Sequence, residues 1–118
     1  MGETYSLKRN GDFRRLYRRG KSAVAPTLVV YAMRNRAGMN RLGLTAGKKV
    51  GCAAERNRAK RRLRALYRAH IIKGGLVPPN VTLDFVIVAR AAAVDAEFPR
   101  LERDFVGAVK KTVEQICK

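Results

Sequence analysis

The segment from Ala53 to His70 places apolar side chains at steps of three or four residues, and this spacing predicts an amphipathic helix. The apolar positions are Ala59, Leu63, Leu66, Tyr67 and His70. The opposite side of the helix carries polar and basic residues at the same steps: Asn57, Lys60, Arg61, Arg64 and Arg68. Such a helix must bury one stripe against a sheet or another helix while its other side holds positive charge in solvent.

Positive charge is concentrated on this helix and just before it. Between Lys48 and Arg64 there are eight Lys or Arg residues and a single acid, Glu55. The whole chain of 118 residues has 26 basic and 9 acidic residues, which gives a net charge of +17. Charge of this density repels itself unless a polyanion binds, so nucleic acid is the expected partner.

The rest of the chain predicts a small α+β domain. With 118 residues and 47% hydrophobic content, residues 1–118 suit one domain with a packed core. The patterns predict, in chain order, a short helix over 10–20, an edge strand over 22–25, strands over 27–33 and 41–46 that pair as a β-hairpin, a loop over 48–52, the amphipathic helix over 53–70, a central strand over 81–89 and a last helix over 96–117. Two long helices are expected to cover one face of the sheet and to leave the other face free.

Few residues support chemistry by the protein itself. The chain has one histidine, His70, and its sequence shows no Ser/His/Asp set, no paired carboxylates and no metal-ligand spacing. Cys52 and Cys117 are too few and too far apart for a disulfide framework, which fits free thiols in a reducing compartment. Met1 to Ser6 lead into a charged segment, and no run approaches the roughly 18 apolar residues of a membrane span. We therefore expect a cytoplasmic protein.

The basic helix contains the motif Arg-Asn-Arg-x-Lys-Arg over residues 56–61. Together with the preceding segment Gly43–Gly51, this motif resembles the bacterial ribonuclease P protein component. Further segments fall in that family's order and spacing: Leu7–Phe13, Tyr17–Gly20, Val30–Tyr31 and Val86–Arg90. The resemblance implies an α+β sandwich of α-β-β-β-α-β-α order. It also implies a central four-stranded sheet and a left-handed βαβ crossover that carries the Arg-Asn-Arg helix.

In function, the resemblance implies the protein subunit of a ribonucleoprotein endonuclease, ribonuclease P, which removes the 5′ leader from precursor tRNA. The catalytic site and its Mg²⁺ ions would belong to the RNA, so the protein is expected to have no catalytic residue and no cofactor, with one protein per RNA. The residues that match the family's contacts to the catalytic RNA are Arg56, Asn57, Arg58, Lys60, Arg61, Arg62 and Arg64. The residues that match its contacts to the leader are Phe13, Tyr17, Tyr31, Lys48, Lys49 and Arg90.

Three residues depart from the family's pattern, namely Glu55, Ala59 and Tyr17. Glu55 adds an acid just before the motif, where a negative charge favours the start of a helix.

Two other classes of protein stay open at the level of sequence. A ribosomal protein would explain the charge and the size through rRNA binding alone. A DNA-binding transcription factor would need an exposed reader helix on a suitable scaffold, and the sequence shows no recognisable turn motif for one.

Overall fold

The structure, a computed structural model, describes residues 5–118 as three helices and five strands. The helices are α1 (Asn10–Arg19), α2 (Ala53–Tyr67) and α3 (Phe98–Ile116). The strands are β1 (Tyr5–Ser6), β2 (Lys21–Val24), β3 (Leu28–Arg34), β4 (Arg41–Thr45) and β5 (Leu83–Ala89). Short 3₁₀-helical turns cover Lys48–Val50 and Ala91–Ala93, and a wider π-helical turn covers Arg68–Ile72. Residues 1–4, part of the N-terminal segment from Met1 to Ser6, lie outside the described residues.

The strands form one mixed sheet in the order β1-β4-β5-β3-β2. β4 runs parallel to β1 and β5, whereas β3 runs antiparallel to β5 and β2. β5 is central, as predicted, because side chains on both of its faces are buried. The predicted hairpin of residues 27–33 with residues 41–46 is wrong, since β5 lies between these strands. Alternation identifies a strand and its buried face but does not identify the partner strand.

The described sheet has five strands rather than the predicted four, and the extra strand is β1. Its Tyr5 and Ser6 pair with Arg41 and Leu42 of β4. The pairing continues in a hydrogen bond of 2.9 Å from the Leu7 backbone N–H to the Leu42 carbonyl. Two residues are too few to show an alternating pattern, so the sequence did not reveal this strand. β1 covers the edge of β4, which would otherwise expose unpaired backbone groups.

The main core fills the space between one face of the sheet and helices α2 and α3. β3 contributes every second side chain to this core: Leu28, Val30 and Ala32. α2 contributes the predicted stripe: Ala59, Leu63, Leu66 and Tyr67. The last member of that stripe, His70, is only half-buried, since it lies in the wider turn Arg68–Ile72. Its Nε2 lies 2.7 Å from Oε2 of Glu102 on α3.

The second face of the sheet is not free, contrary to the prediction, because α1 packs on part of it. Leu16 of α1 is fully buried there in a cluster with Leu7 and Val86. Half-buried side chains surround this cluster: Phe13, Tyr31, Met33 and Val88. Open cavities remain on this side where β4 and β5 end.

α2 lies in the crossover from β4 to its parallel neighbour β5, as the resemblance implied. The left-handed sense of this crossover stays a prediction. Because β4 and β5 are parallel, their carboxyl ends lie at the same edge of the sheet. The turns that follow them, Lys48–Val50 and Ala91–Ala93, therefore pack against each other.

Candidate nucleic-acid interface

The three basic residues expected to bind the leader lie together where β4 and β5 end. Lys48 and Lys49 follow β4, Arg90 follows β5, and all three side chains are exposed. They line one cavity of about 570 Å³. Most of its other lining residues are apolar, among them Val50 and Val88. Cations beside an apolar surface suit a single strand of nucleic acid, whose phosphates and bases both need contacts.

Two of the three aromatic residues expected to bind the leader line a neighbouring groove, and the third packs beside them. Phe13 and Tyr17 of α1 line a space of about 640 Å³, together with residues 44–46 of the β4 end and Lys60 of α2. Tyr31 of β3 meets Tyr17 edge to face, with ring centroids 4.9 Å apart and ring planes at 78°. Tyr17 is 44% exposed, whereas the other two rings are half-buried. The structure thus brings the aromatics together, and their contact with a leader stays a prediction.

The aromatic groove and the cationic cavity adjoin. Ala46 lines the groove and the next residue, Gly47, lines the cavity. Val88 lines the cavity and also packs in the cluster under α1. We call the combined surface the concave strip. The residues that give it its chemistry are Phe13, Tyr17, Tyr31, Lys48, Lys49 and Arg90.

Gly43 is required where Phe13 meets the sheet. A Cβ atom at Gly43 would lie 2.6 Å from Cζ and 2.8 Å from Cε2 of the Phe13 ring. Within β4, this glycine therefore lets the ring rest directly on the backbone. The sequence did carry a signal for this contact, a glycine inside a predicted strand, but could not name the ring that uses it.

α2 divides its basic residues among three directions. Lys60 and Arg64 turn towards β4 and line a small cavity of about 180 Å³ beside β1. Arg61 and its neighbour on the outer side, Asn57, are exposed. Arg62 and Arg58 instead turn towards the segment between β5 and α3. The seven residues expected to bind the catalytic RNA therefore do not share one face, because residues two apart on a helix point about 200° apart.

Arg58 and Arg62 already bind backbone carbonyls of the protein. Nε of Arg58 donates to the Val94 carbonyl at 2.9 Å. Nη1 of Arg62 donates to the carbonyls of Ala93 and Val94, both at 2.8 Å. Burial lowers the pKa of Arg62, and the charge of Arg58 adds to this effect. Their expected contacts with RNA stay predictions.

The start of α2 explains Glu55. The backbone N–H of Cys52 donates to Oε1 of Glu55 at 2.9 Å. This hydrogen bond is the main reason that the pKa of Glu55 is lowered. The carboxylate occupies the space beside Gly51, where φ is 144° and a Cβ would lie 2.3 Å from Oε1. Glu55 thus caps the helix. Next to it, Arg56 is half-buried, and its Nε has no hydrogen-bond partner within residues 5–118.

Among residues 5–118, Asp84 is the only buried carboxylate, with 1% of its surface exposed. It accepts hydrogen bonds from Arg41 at 2.7 and 2.8 Å and from Asn35 at 2.6 Å. The hydrogen bond to Asp84 raises the pKa of Arg41. This network joins β4 to β5, and sequence reasoning missed it although a charged residue in an apolar strand was its signal.

Two further findings concern what the described part of the chain lacks. Within residues 5–118, no group of three or more His, Cys, Asp or Glu side chains is placed to hold a metal ion. No helix in that range is long and apolar enough to cross a membrane.

Comparison with known proteins identifies the family. A family model described as Ribonuclease P matches residues 1–113. The ribonuclease P protein component of Clostridioides difficile (strain 630) is 37% identical over 115 residues, which cover 95% of each chain. That of Listeria monocytogenes serotype 4a (strain HCC23) is 32% identical over 111 residues, which cover 93% of this chain and 89% of the relative.

Solved structures agree with the sequence comparison. An RNase P protein mutant of Staphylococcus aureus with defective mRNA degradation activity has a TM-score of 0.77 and 30% identity, and the match covers 91% of this chain and 86% of that one. The RNase P protein of Thermotoga maritima has a TM-score of 0.75 and 25% identity, with coverage of 90% and 96%. The resemblance seen in the motif is confirmed, which sets aside the ribosomal-protein and transcription-factor alternatives. The chain belongs to the ribonuclease P protein family.

Proposed function

We propose that this protein is the accessory subunit of ribonuclease P, which removes the 5′ leader of precursor tRNA in the cytoplasm. In this proposal the protein binds both the catalytic RNA and the leader, with one protein per RNA. The observation that carries the proposal is the concave strip. In it, Phe13 and Tyr17 line a groove beside the basic helix α2, Tyr31 packs against Tyr17, and three cations line the adjoining cavity.

The concave strip suits a single strand of RNA. Unpaired bases can stack on aromatic rings whatever their sequence, at about 1–3 kcal/mol per base. Tyr17 offers the most exposed ring for this purpose, and Phe13 lies one turn earlier on the same helix. Lys48, Lys49 and Arg90 would hold the phosphates of the next nucleotides, because their cavity adjoins the groove.

The outer side of α2 suits the backbone of a folded RNA. Arg61 presents an exposed guanidinium, whose planar fork can bind two phosphate oxygens. Asn57, one helical turn earlier, can add a neutral hydrogen bond. The other residues expected to bind the catalytic RNA flank this outer side: Arg56, Arg58, Lys60, Arg62 and Arg64.

We assign the chemistry to the RNA and its Mg²⁺ ions rather than to this chain. Mg²⁺ prefers carboxylate and other oxygen ligands. The one buried carboxylate of residues 5–118, Asp84, is already bound by Arg41 and Asn35. The role of the protein is then to hold the substrate's leader against the catalytic RNA, which raises affinity without a protein-borne reacting group.

Cleavage of a precursor tRNA at low Mg²⁺ concentration tests this function. The reactions contain a bacterial ribonuclease P RNA alone, the protein alone, or both together. We expect efficient removal of the leader only in the mixture. Activity of the protein alone would overturn the assignment of chemistry to the RNA, and a mixture no faster than the RNA alone would overturn the accessory role.

A further inference from the structure

Arg62 is half-buried, and its side chain is bound to the backbone of a neighbouring segment. Its guanidinium donates to three carbonyls: those of Ala93, Val94 and Ala96. These hydrogen bonds use three of the five N–H donors of an arginine. The guanidinium carbon also lies 5.7 Å from the centroid of the Phe98 ring, within the range of a cation–π contact. Arg62 therefore has its position fixed on two sides.

The segment that Arg62 holds is continuous with one wall of the cationic cavity. Ala91 and Ala92 line that cavity beside Arg90. Within the segment, the Ala93 N–H donates to the Arg90 carbonyl at 2.8 Å, and the Ala96 N–H donates to the Ala92 carbonyl at 3.0 Å. Residues 90–96 thus form one hydrogen-bonded unit. Hydrogen bonds that hold residues 93–96 in place therefore also restrict the position of Arg90 and Ala91.

The carbonyls of this unit need a partner from elsewhere in the protein. Ala93 and Val94 are buried, with 0% and 4% of their surfaces exposed. A buried carbonyl without a hydrogen bond is costly, and α3 begins only at Phe98. Two arginines of α2 supply these hydrogen bonds. Arg62 binds the Ala93 and Val94 carbonyls, and Arg58 adds a second hydrogen bond to the Val94 carbonyl.

We propose that Arg62 is a positioning residue for the leader. It acts through residues 93–96 to hold Arg90 and Ala91 at the wall of the cationic cavity, and it does not itself contact RNA. This inference rests on the proposed function of the concave strip. It also divides the basic residues of α2 by role, since Arg61 faces solvent while the next residue, Arg62, supports the leader site.

Two substitutions at this position separate a positioning role from direct RNA contact. Arg62→Met keeps a long apolar stem but removes every donor. Arg62→Lys keeps the positive charge, but an ammonium cannot reproduce the planar fork that reaches three carbonyls. Arg61→Met is the matched control, because it removes the same charge from the adjacent exposed position.

The readout is the ratio of two affinities of the reconstituted ribonucleoprotein, one for precursor tRNA with a leader and one for the same tRNA without it. We expect both Arg62 variants to lower this ratio by roughly tenfold, the size of one lost base or phosphate contact. We expect Arg61→Met to leave the ratio unchanged. The affinity of each protein for the catalytic RNA is measured across salt concentrations in parallel. There, Arg62→Met should keep the wild-type slope, and Arg61→Met should lower it by about one.

Several outcomes would overturn the positioning role. If Arg62→Met lowers the salt slope as Arg61→Met does while Arg62→Lys restores it, then Arg62 is an RNA ligand. A smaller folded fraction lowers both tRNA affinities equally, so an unchanged ratio also contradicts the proposal. A wild-type protein that shows no preference for the leader would instead remove the proposed function on which the inference rests.

Discussion

Replacing Gly43 by alanine tests whether Phe13 rests on the sheet as the structure shows. The added Cβ would lie 2.6 Å from Cζ of Phe13, whereas ordinary contact begins at 3.4 Å, so the ring must retreat by about 0.8 Å. Overpacking of this kind typically costs about 1–3 kcal/mol. Phe13 is half-buried and borders an open groove, which lets it move. We therefore expect a loss of about 1–2 kcal/mol in the free energy of unfolding, the lower part of the usual range.

A double-mutant cycle isolates this contact. The free energy of unfolding is measured in urea for wild type, Gly43→Ala, Phe13→Ala and the double variant. Without the Phe13 ring the new methyl group meets no aromatic carbon, and alanine is at least as favourable as glycine inside a strand. The cost of Gly43→Ala should then fall to about zero, which gives a coupling energy of about 1–2 kcal/mol.

The control for this cycle is Gly47→Ala, since a Cβ at Gly47 meets nothing within 4 Å. This substitution should be neutral or slightly stabilising, because it restricts the unfolded chain. The reasoning is refuted if Gly43→Ala costs the same with and without the Phe13 ring, or if its cost in the wild-type background stays below about 0.5 kcal/mol.

Three further substitutions test the remaining contacts. Asp84→Asn should lower the free energy of unfolding by about 3 kcal/mol, the low end for a broken buried ion pair, because the Arg41 side chain is 28% exposed. The control is Glu114→Gln at an exposed position of α3, and equal losses in the two variants would contradict the role of the Asp84 network. Glu55→Ala should destabilise the protein at neutral pH, and its difference in unfolding free energy from wild type should vanish as pH falls through the lowered pKa of Glu55, since only the ionised carboxylate is stabilised by the Cys52 N–H. A difference that stays constant down to about pH 3 in urea titrations would exclude this capping role. Arg61→Ala should lower the slope of log affinity for the catalytic RNA against log salt concentration by about one, whereas Lys110→Ala at an exposed position of α3 should not change it. An unchanged slope for Arg61→Ala would remove this residue from the RNA interface.

Most secondary-structure elements of this fold could be predicted because burial imposes its own period on the sequence. The apolar stripe of α2 and the apolar residues from Phe85 to Ala89 in β5 each follow from how one element meets the core. The pairing of strands follows different rules. β4 lies beside β5 rather than β3 because the chain returns through α2, and such long-range choices leave no local pattern.

The sequence indicated which residue types form the candidate site, but not the directions in which their side chains point. Through the family resemblance, the sequence indicated that Lys48, Lys49 and Arg90 share one role, and in the fold each follows a strand of the same parallel pair and lines one cavity. It could not separate Arg61 from Arg62, because the side on which a helical residue meets a neighbour depends on how the helix packs. The ring that rests on Gly43 could not be named for the same reason, as the contact depends on the placement of α1 over β4.

In the proposed function, one small chain binds two stretches of RNA, and the packing of α2 bears on how it could do so. Lys60 lines the aromatic groove, whereas the next residue, Arg61, is exposed on the outer side of the helix. Both are carried by one helix, whose diameter is about 10–12 Å with its side chains. The fully buried Leu63 and Leu66 fix the rotation of that helix against the sheet. In the proposed function, leader and catalytic RNA are therefore held at a short and rigid separation, so the protein can assist cleavage through position alone.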